Sequence, residues 1–345
     1  MPGKRVAVAM SGGVDSSAAA AILKERGYEV FGVTMQLSPN DSGENAESAQ
    51  QAASLLGISH HVLDFREIFA QRIISDFCQE YSRGHTPNPC VFCNQYIKFG
   101  ALLEKVRQMG ADYLATGHYA RIEYSANRYQ LLKGVDRSKD QSYFLYRLGQ
   151  KELKYIIFPV GDRRKTEVKK LVAAFGLPAV ARKESQDICF IPDNDYHSFV
   201  SQHITLQPGD IVDTEGKVLG KHGGLALYTV GQRQGLGISS KTRLYVLRLD
   251  VANNCLVVGT EDQLLKGKLL ADNLSWIAGE APQSPLQVTA RVRYKSAETE
   301  ATVYLKDGVA EVTFSQPQRA IAPGQSIVFY RGDEVLGGGI IADIL

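Results

Sequence analysis

The strongest constraint on the fold is a glycine-rich segment that joins a short apolar run to a helical pattern near the start of the chain. Val6 to Met10 is an apolar run typical of a buried strand, and Ser16 to Arg26 is Ala-rich and helical. The segment S-G-G-V-D-S-S (11–17) places two glycines and three hydroxyl groups where that helix begins. Free backbone N–H groups and the positive end of the helix dipole bind anions at such a position. We therefore predict a phosphate-binding loop, in which Asp15 would hold a magnesium ion.

This loop differs from the two most familiar phosphate-binding motifs. It lacks the Gly-Lys-Ser/Thr ending of the P-loop and the G-x-G-x-x-G pattern of dinucleotide-binding domains. A purely structural alternative is a Gly-rich turn whose Ser or Asp caps the helix. The length of the motif and its position between a strand and a helix favour phosphate binding.

Strand and helix patterns continue to alternate through the first half of the chain. Further strand patterns lie at 30–35, 61–64 and 113–116, and further helix patterns lie at 46–56 and 97–109. Such alternation predicts an α/β domain with a doubly wound parallel sheet and helices on both faces. Ligands of these sheets bind at the carboxyl ends of the strands, which is where the loop 11–17 is expected.

The pattern changes after about Phe190, where glycine and proline become frequent and short strands are separated by turn signals. From about Gly267 the pattern is entirely β, and Asp307-Gly308 is typical of a hairpin turn between two strands. We therefore predict a small antiparallel β-barrel at the C-terminus. The expected units are a catalytic domain at 1–195, a small central domain at 196–266 and the barrel at 267–345.

Composition limits the classes of protein and partner. The 345 residues carry a formal net charge of +2, so a nucleic-acid-binding surface would have to be a local patch of Lys and Arg. No apolar run approaches the length of a membrane span, and the N-terminus does not resemble a signal peptide, so we expect a cytoplasmic protein without a membrane partner. The five cysteines are an odd number in a long chain and make a poor disulfide framework.

Two cysteines lie in the segment T-P-N-P-C-V-F-C-N (86–94), whose two prolines predict a rigid loop. We expect Asn94 to cap the helix that follows, which would place Cys93 near a helix N-terminus and lower the pKa of its thiol. A C-x-x-C pair is compatible with a zinc half-site, a redox pair or one side of a cluster. A closed structural zinc site needs four ligands, and no second C-x-x-C is present.

The other three cysteines have weaker local signals. Cys189 lies in D-I-C-F-I (187–191) and, taken alone, would be interpreted as a buried strand cysteine. Cys78 shares a helical face with large apolar residues, and Cys255 precedes a strand pattern, so both are expected to be packing residues.

Taken together, these segments resemble those of bacterial-type tRNA-specific 2-thiouridylases, a branch of the PP-loop ATP-pyrophosphatase family. The resemblance runs in the family's order across almost the whole chain. It is carried by SGGVDSS (11–17), TPNPCVFCN (86–94), ATGHYAR (115–121), KDQSYFL (139–145), FPVG (158–161), DICFI (187–191), GQRQGLG (231–237), RVRY (291–294), PGQSIVFY (323–330) and GGGII (337–341).

The resemblance implies that ATP and magnesium activate the C2 oxygen of a wobble uridine as an adenylate, with release of pyrophosphate. It implies ATP contacts at Ala9, Met10, Ser11, Gly12, Gly13, Val14, Asp15, Ser16, Met35 and Gly117. For Met35, core packing is the alternative interpretation.

The resemblance also implies that an upstream carrier protein delivers sulfur as a persulfide. Cys189 matches the position that carries this persulfide, and Cys93 matches the nucleophile that releases the sulfur and closes a transient disulfide with Cys189. Some relatives have Asp where this chain has Cys90. An alternative interpretation makes Cys90, Cys93 and Cys189 three ligands of an iron–sulfur cluster, and the sequence leaves both mechanisms open.

Transfer RNA is the implied macromolecular partner, bound by all three units of a monomer. Asn88, Pro89 and Cys90 match target-base contacts, and the base is expected to be flipped into the site. The matched tRNA contacts are His118, Lys139, Asp140, Gln141, Arg293, Tyr294 and Gln325. For these polar residues an ordinary solvated surface is the alternative.

Two other functions compete with thiolation. One is a different ATP-pyrophosphatase, such as an amidotransferase-linked ligase, and the pairing of Cys93 with Cys189 together with the C-terminal barrel argues against it. The other is an RNA-binding protein with a degenerate ATPase domain, which would be expected to have a broken phosphate loop. The loop at 11–17 is intact.

Overall fold

The computed structural model describes residues 3–38, 43–177, 188–191 and 195–345. Its first part is built on a parallel sheet with strand order β3-β2-β1-β4-β7. These strands are β1 (Arg5–Ala9), β2 (Glu29–Gln36), β3 (His60–Asp64), β4 (Tyr113–Ala115) and β7 (Ile156–Ile157). The first four confirm the strand patterns in the sequence.

Helices cover both faces of this sheet. Alternate residues of β1 point to opposite sides, so Val6 and Val8 join one apolar core while Ala7 joins the other. The core of Val6 and Val8 is closed by three helices: α1 (Val14–Glu25), α2 (Glu44–Leu55) and α8 (Lys165–Ala174). The prediction of a doubly wound parallel sheet is therefore confirmed.

Two longer helical segments cover the opposite face, and each contains a π-helical stretch. The first comprises α3 (Arg66–Phe69), a π-helical stretch (Ala70–Ile74) and α4 (Ser75–Ser82). The second comprises α5 (Pro89–Phe92), a π-helical stretch (Cys93–Leu102) and α6 (Leu103–Gln108). π-helical stretches are uncommon and occur frequently at functional sites.

Shorter elements connect the larger units. A 3₁₀ turn at Ser142–Leu145 is followed by α7 (Gln150–Leu153), and α9 (Tyr196–His203) leads into the central part of the chain. That part contains a sheet with strand order β10-β11-β8-β9, whose apolar face includes Ile211, Val246 and Leu256. Its strands are β8 (Gly209–Val212), β9 (Val218–His222), β10 (Tyr245–Asp250) and β11 (Cys255–Gly259).

The C-terminal strands form a closed antiparallel barrel, as predicted. They are β12 (Leu265–Trp276), β13 (Leu286–Arg291), β14 (Thr299–Lys306), β15 (Val309–Arg319), β16 (Ser326–Arg331) and β17 (Glu334–Ile344). The order β12-β15-β14-β13-β16-β17 closes because β12 also pairs with β17. The predicted hairpin turn joins β14 to β15, with positive φ angles at Asp307 and Gly308.

A hairpin from the first part of the chain extends this barrel, which the sequence did not predict. Its strands are β5 (Ala120–Ser125) and β6 (Arg128–Lys133), and Leu131 of β6 pairs with Val335 of β17. Ion pairs strengthen the junction, including Arg128 with Glu334 at 2.7 Å. The phosphate-loop domain and the barrel are thus joined by a shared sheet. In the described part of the chain, no helix is long and apolar enough to cross a membrane.

Candidate functional site

The loop 11–17 leaves the carboxyl end of β1 and enters α1, as the sequence predicted. Ser16 holds its turn, because its hydroxyl donates to the carbonyl of Gly13 at 3.0 Å and accepts from the N–H of Ser11 at 3.2 Å. Gly12 has φ +71°, and a Cβ atom there would lie 2.6 Å from the Cβ of Ser48. A side chain at this position would be strained in both backbone conformation and space. The loop is therefore tightly packed and has free N–H groups at a helix N-terminus.

Asp15, at the start of α1, is held by two residues distant in sequence. The ammonium group of Lys165 lies 2.6 and 2.7 Å from its two carboxylate oxygens. The hydroxyl of Tyr119 donates to one of these oxygens at 2.8 Å. Lys165 is only 8% exposed. Sequence reasoning missed Lys165 because it is separated from Asp15 by 150 positions, and no spacing signal connects them.

The remaining residues matched to ATP contacts surround this loop, but with different degrees of access. A Cβ atom at Gly117 would lie 2.7 Å from the carbonyl carbon of Asp15, so the backbone after β4 packs directly on the loop. Met35 is half-buried near the end of β2 and packs against the core that contains Ala7. Met10 is buried, its N–H donates to the carbonyl of Val33 and its carbonyl accepts from the hydroxyl of Thr34, each at 2.8 Å. Ala9 and Val14 are partly buried at the end of β1 and the start of α1.

The structure corrects the predicted environment of Cys93. The helix begins at Pro89, with Asn88 at its N-cap, and continues through Cys93 to Gln108. Asn94 therefore caps nothing, and its side-chain amide donates to the carbonyl of Phe144. Cys93 is 7% exposed, and burial raises the pKa of its thiol to about 12. The prediction of a lowered Cys93 pKa was wrong, because the helix starts one turn earlier and the thiol faces the core.

Cys90 and Cys189 are accessible at the surface, although the surrounding protein still displaces enough water to raise the pKa of both thiols. Cys189 lies in a turn rather than in a buried strand, so that sequence interpretation was also wrong. The residue that follows, Phe190, is buried against Phe69 and Phe77 and anchors the segment to the domain. Cys90, Cys93 and Cys189 form the group that we call the thiol pocket.

Lys98 is the cation associated with the thiol pocket. Its positive charge opposes the effect of burial and lowers the pKa of Cys90, Cys93 and Cys189. Lys98 lies five residues after Cys93, within the π-helical stretch. A π-helix closes its turns over five residues, which brings these two side chains toward one face. Sequence reasoning assumed an ordinary α-helix and so had no reason to pair them.

A metal centre is not preformed in the thiol pocket. Within residues 3–38, 43–177, 188–191 and 195–345, no three His, Cys, Asp or Glu side chains converge closely enough to hold a metal ion. All five cysteines are free thiols. The thiols of the pocket nevertheless influence one another, because charge on Cys90 or Cys189 raises the pKa of Cys93. The donor set is chemically suitable for iron, but in this conformation its geometry is not.

The other two cysteines are not part of the thiol pocket. Cys78 is half-buried on α4 and packs against the core that contains Ala7, and burial raises the pKa of its thiol. Cys255 is half-buried at the start of β11, and its thiol donates to the carbonyl of Asn253 at 3.3 Å. Cys78 therefore has the packing role expected from the sequence, while Cys255 is only half-buried on its strand.

Three of the residues matched to tRNA contacts instead make hydrogen bonds to other residues of this chain. His118 is buried and shares a 2.7 Å hydrogen bond with Thr116, and burial together with the charge of Lys98 lowers the pKa of its imidazole. Asp140 is 2% exposed and accepts from the N–H of Gly134 at 3.0 Å. The side-chain carbonyl of Gln141 accepts from the N–H of Tyr119. These three residues shape the backbone around the site.

The remaining matched positions are more accessible. Arg293 is exposed, Lys139 is half-exposed, and the ring of Tyr294 packs on Phe144 with centroids 4.4 Å apart. Gln325 connects the barrel to the segment before the thiol helix, because its amide donates to the carbonyl of Thr86 at 2.8 Å. The N–H of Thr86 donates in turn to Pro323. This turn of the barrel therefore positions the start of the segment that carries Cys90 and Cys93.

Comparisons with known proteins cover nearly the whole chain. Three family models match in succession: the tRNA methyl transferase HUP domain at 4–193, its PRC-barrel domain at 197–260 and an aminomethyltransferase beta-barrel domain at 266–341. Among solved structures, an NMN synthetase from Francisella tularensis matches 53% of this chain and 66% of its own with 14% identity and a TM-score of 0.32. That likeness is too distant to inform the site.

Curated relatives are much more similar. The tRNA-specific 2-thiouridylase MnmA of Acetivibrio thermocellus is 46% identical over 99% of this chain and 100% of its own length. The corresponding proteins of Caldanaerobacter subterraneus and Dehalococcoides mccartyi are each 48% identical, over 98% and 97% of this chain and 97% and 96% of their own lengths. At this identity over nearly the full length of both chains, the chain belongs to the family of tRNA-specific 2-thiouridylases.

Proposed function

We propose that this protein uses ATP to replace the C2 oxygen of the wobble uridine of transfer RNA with sulfur. The supporting observation is that the phosphate loop and the thiol pocket belong to one neighbourhood. Gly117 packs on the backbone of Asp15, the next residue is His118, and the charge of Lys98 acts on both His118 and Cys93. An adenylated base and a sulfur donor would therefore meet at the carboxyl ends of β1 and β4.

The first step of the proposed reaction is adenylation. The C2 oxygen of uridine attacks the α-phosphorus of ATP, and pyrophosphate leaves. The loop 11–17 would bind the phosphates through its backbone N–H groups. Magnesium fits this site because the carboxylate of Asp15 is a hard oxygen ligand beside the loop, and the ion would offset charge on the departing pyrophosphate.

The second step is sulfur transfer. A persulfide on Cys189, delivered by a carrier protein, is attacked at the Cys189 sulfur by the thiolate of Cys93, and hydrosulfide leaves. Hydrosulfide adds at C2, and AMP departs with the former C2 oxygen. The remaining Cys93–Cys189 disulfide is returned to two thiols by a dithiol reductant before the next turnover.

The raised pKa of Cys93 adds a requirement to this scheme. At neutral pH a thiol with a pKa of about 12 is protonated and unreactive. Sulfur release therefore needs a rearrangement that opens the pocket to water or brings Lys98 closer to the sulfur. Binding of the target base beside Asn88, Pro89 and Cys90 is the event that we expect to cause it.

An iron–sulfur variant of the same reaction is the second candidate. It is supported by the mutual electrostatic influence of Cys90, Cys93 and Cys189. It would require these side chains to converge further than they do in the described conformation.

The experiment that tests the function uses the full-length chain with unmodified transfer RNA, Mg·ATP and a persulfide donor. Mass spectrometry of the digested RNA should detect 2-thiouridine, with AMP and pyrophosphate formed in equal amounts. Omission of ATP should abolish the product. The assay is run once with iron-free protein and once with iron-reconstituted protein. Formation of AMP without 2-thiouridine in both assays would contradict the proposal.

A further inference from the structure

The ion pair between Lys165 and Asp15 lies inside the phosphate loop, although neither composition nor motif marks Lys165 as a site residue. The pair is bidentate, with both carboxylate oxygens within 2.7 Å of the ammonium nitrogen. Lys165 is nine-tenths buried, whereas the side chain of Asp15 is 31% exposed toward solvent. The accessible side of the pair is therefore the side where a ligand of the loop would bind.

Several interactions hold Lys165 in this position. It is the first residue of α8, and its backbone N–H donates to Asp136 at 3.0 Å. The carboxylate of Glu167 caps the same helix by accepting from the N–H of Arg164 at 2.7 Å. Further along α8, Val168 packs in the core that α1 also contributes to. The first turns of helices α1 and α8 are consequently joined by the Lys165–Asp15 ion pair, near the positive end of each helix dipole.

A buried lysine at two helix N-termini would normally be unfavourable, because all three features are positive. Asp15 neutralises this charge in the absence of ligand. When a triphosphate and its magnesium ion bind, they offer new partners of opposite charge to both Asp15 and Lys165. The carboxylate of Asp15 is a suitable oxygen ligand for magnesium, and the ammonium group of Lys165 is a suitable partner for phosphate oxygens.

We propose that Lys165 binds the β- or γ-phosphate of ATP. Without nucleotide, Lys165 is paired with Asp15, and the metal–nucleotide complex breaks this ion pair when it binds. The inference rests on the proposed use of ATP. It adds Lys165 to the nucleotide site as a residue that exchanges the carboxylate of Asp15 for a phosphate of ATP. The hydroxyl of Tyr119, also bonded to Asp15, would keep the carboxylate in place during this exchange. A purely structural ion pair would instead stay closed when nucleotide binds.

The test compares ATP with AMP, since AMP lacks the phosphates that Lys165 is proposed to contact. Calorimetric titration of the full-length Lys165→Met variant should show Mg·ATP binding weakened by about tenfold or more, the usual effect of losing a charge-assisted hydrogen bond. AMP binding should change by less than about twofold. Circular dichroism verifies that the variant is folded.

If Lys165→Met does not fold, the comparison moves to Asp15→Asn against Asp15→Asn/Lys165→Gln. Both lack the carboxylate, so a further loss of ATP affinity in the double variant reports on Lys165 alone. Equal ATP affinities in either comparison, or equal losses for ATP and AMP, would overturn the role of Lys165. Failure of the unaltered protein to bind Mg·ATP would instead refute the proposed function, so the two outcomes are distinguishable.

Discussion

The phosphate loop and the thiol pocket lie in one domain but differ in how completely they are assembled. Asp15 makes two contacts to Lys165 and one to Tyr119, and the loop backbone is held by Ser16. In the thiol pocket, by contrast, the described residues form neither a disulfide nor a set of metal ligands.

This difference indicates that the two ends of the site become active at different times. The backbone of the phosphate loop is already held in place, so only the Lys165–Asp15 ion pair has to exchange partners when a ligand binds, which favours affinity. A buried, protonated thiol is protected from oxidation and from unproductive attack until the substrate changes its surroundings. We therefore expect nucleotide binding to be independent of the thiols, and sulfur transfer to depend on both regions.

Removing a reactive thiol should give the largest effect. Cys93→Ser and Cys189→Ser should each reduce 2-thiouridine formation about a thousandfold or more, because a hydroxyl cannot carry or release persulfide sulfur. Calorimetry should show unchanged Mg·ATP affinity in both variants. Cys255→Ser is the matched control and should retain full activity. Loss of ATP binding in Cys93→Ser would mean that the two regions are not independent.

Neutralising Asp15 should give the next largest effect. Asp15→Asn keeps the shape of the side chain and one acceptor oxygen but removes the charge that would hold magnesium, so AMP formation should fall about a hundredfold. Asparagine is preferable to alanine here, because alanine would leave the buried Lys165 without any acceptor from this side chain, at a stability cost of about 1–3 kcal/mol. Normal AMP release by a folded Asp15→Asn protein would exclude the proposed metal contact.

Replacing Lys98 tests the electrostatics of the thiol pocket. Its charge lowers the pKa of Cys93, so Lys98→Met should raise that pKa further. Alkylation of Cys93 at pH 9 should then be about three- to tenfold slower, because only the thiolate reacts. Peptide mass spectrometry follows each cysteine separately, with Cys255 as the internal control and Lys98→Arg as the charge-conserving variant. An unchanged rate at Cys93 would show that Lys98 does not act on it.

Features set by neighbouring residues were predictable from the sequence. The succession of β1, the loop and α1 follows from an apolar run, two glycines and an Ala-rich helix, all within 25 residues. The barrel turn at Asp307-Gly308 was predictable for the same reason, since only certain residues adopt positive φ at both positions.

Features set by tertiary contacts were not predictable. Lys165 is brought to Asp15 by the packing of α8 beside α1, and β6 joins β17 across about 200 positions. The pKa of Cys93 was predicted in the wrong direction because one helix boundary was misplaced by a turn. The thiol lies in a buried interior rather than at an exposed helix N-terminus, and there desolvation outweighs the charge of Lys98.

A smaller effect is expected from Arg293, the exposed residue of the matched tRNA contacts. Arg293→Ala should weaken tRNA binding about threefold and reduce the slope of log affinity against log salt by about one, as expected for one lost phosphate contact. Lys4→Ala is the control, since Lys4 precedes β1 at the opposite edge of the sheet from the loop. Filter binding across a salt series measures both. An unchanged slope in Arg293→Ala would place the RNA elsewhere.

The smallest effect is expected from Cys90→Ser, and it separates the two sulfur-transfer mechanisms. Under the persulfide mechanism neither sulfur step uses Cys90, so activity should fall by no more than about twofold. Under the cluster mechanism the variant should lose activity as completely as Cys93→Ser, since a three-cysteine site missing one ligand binds iron poorly. Activity and iron content are measured together on anaerobically reconstituted protein. Parallel loss of iron and activity in Cys90→Ser would replace the persulfide mechanism while leaving thiolation itself intact.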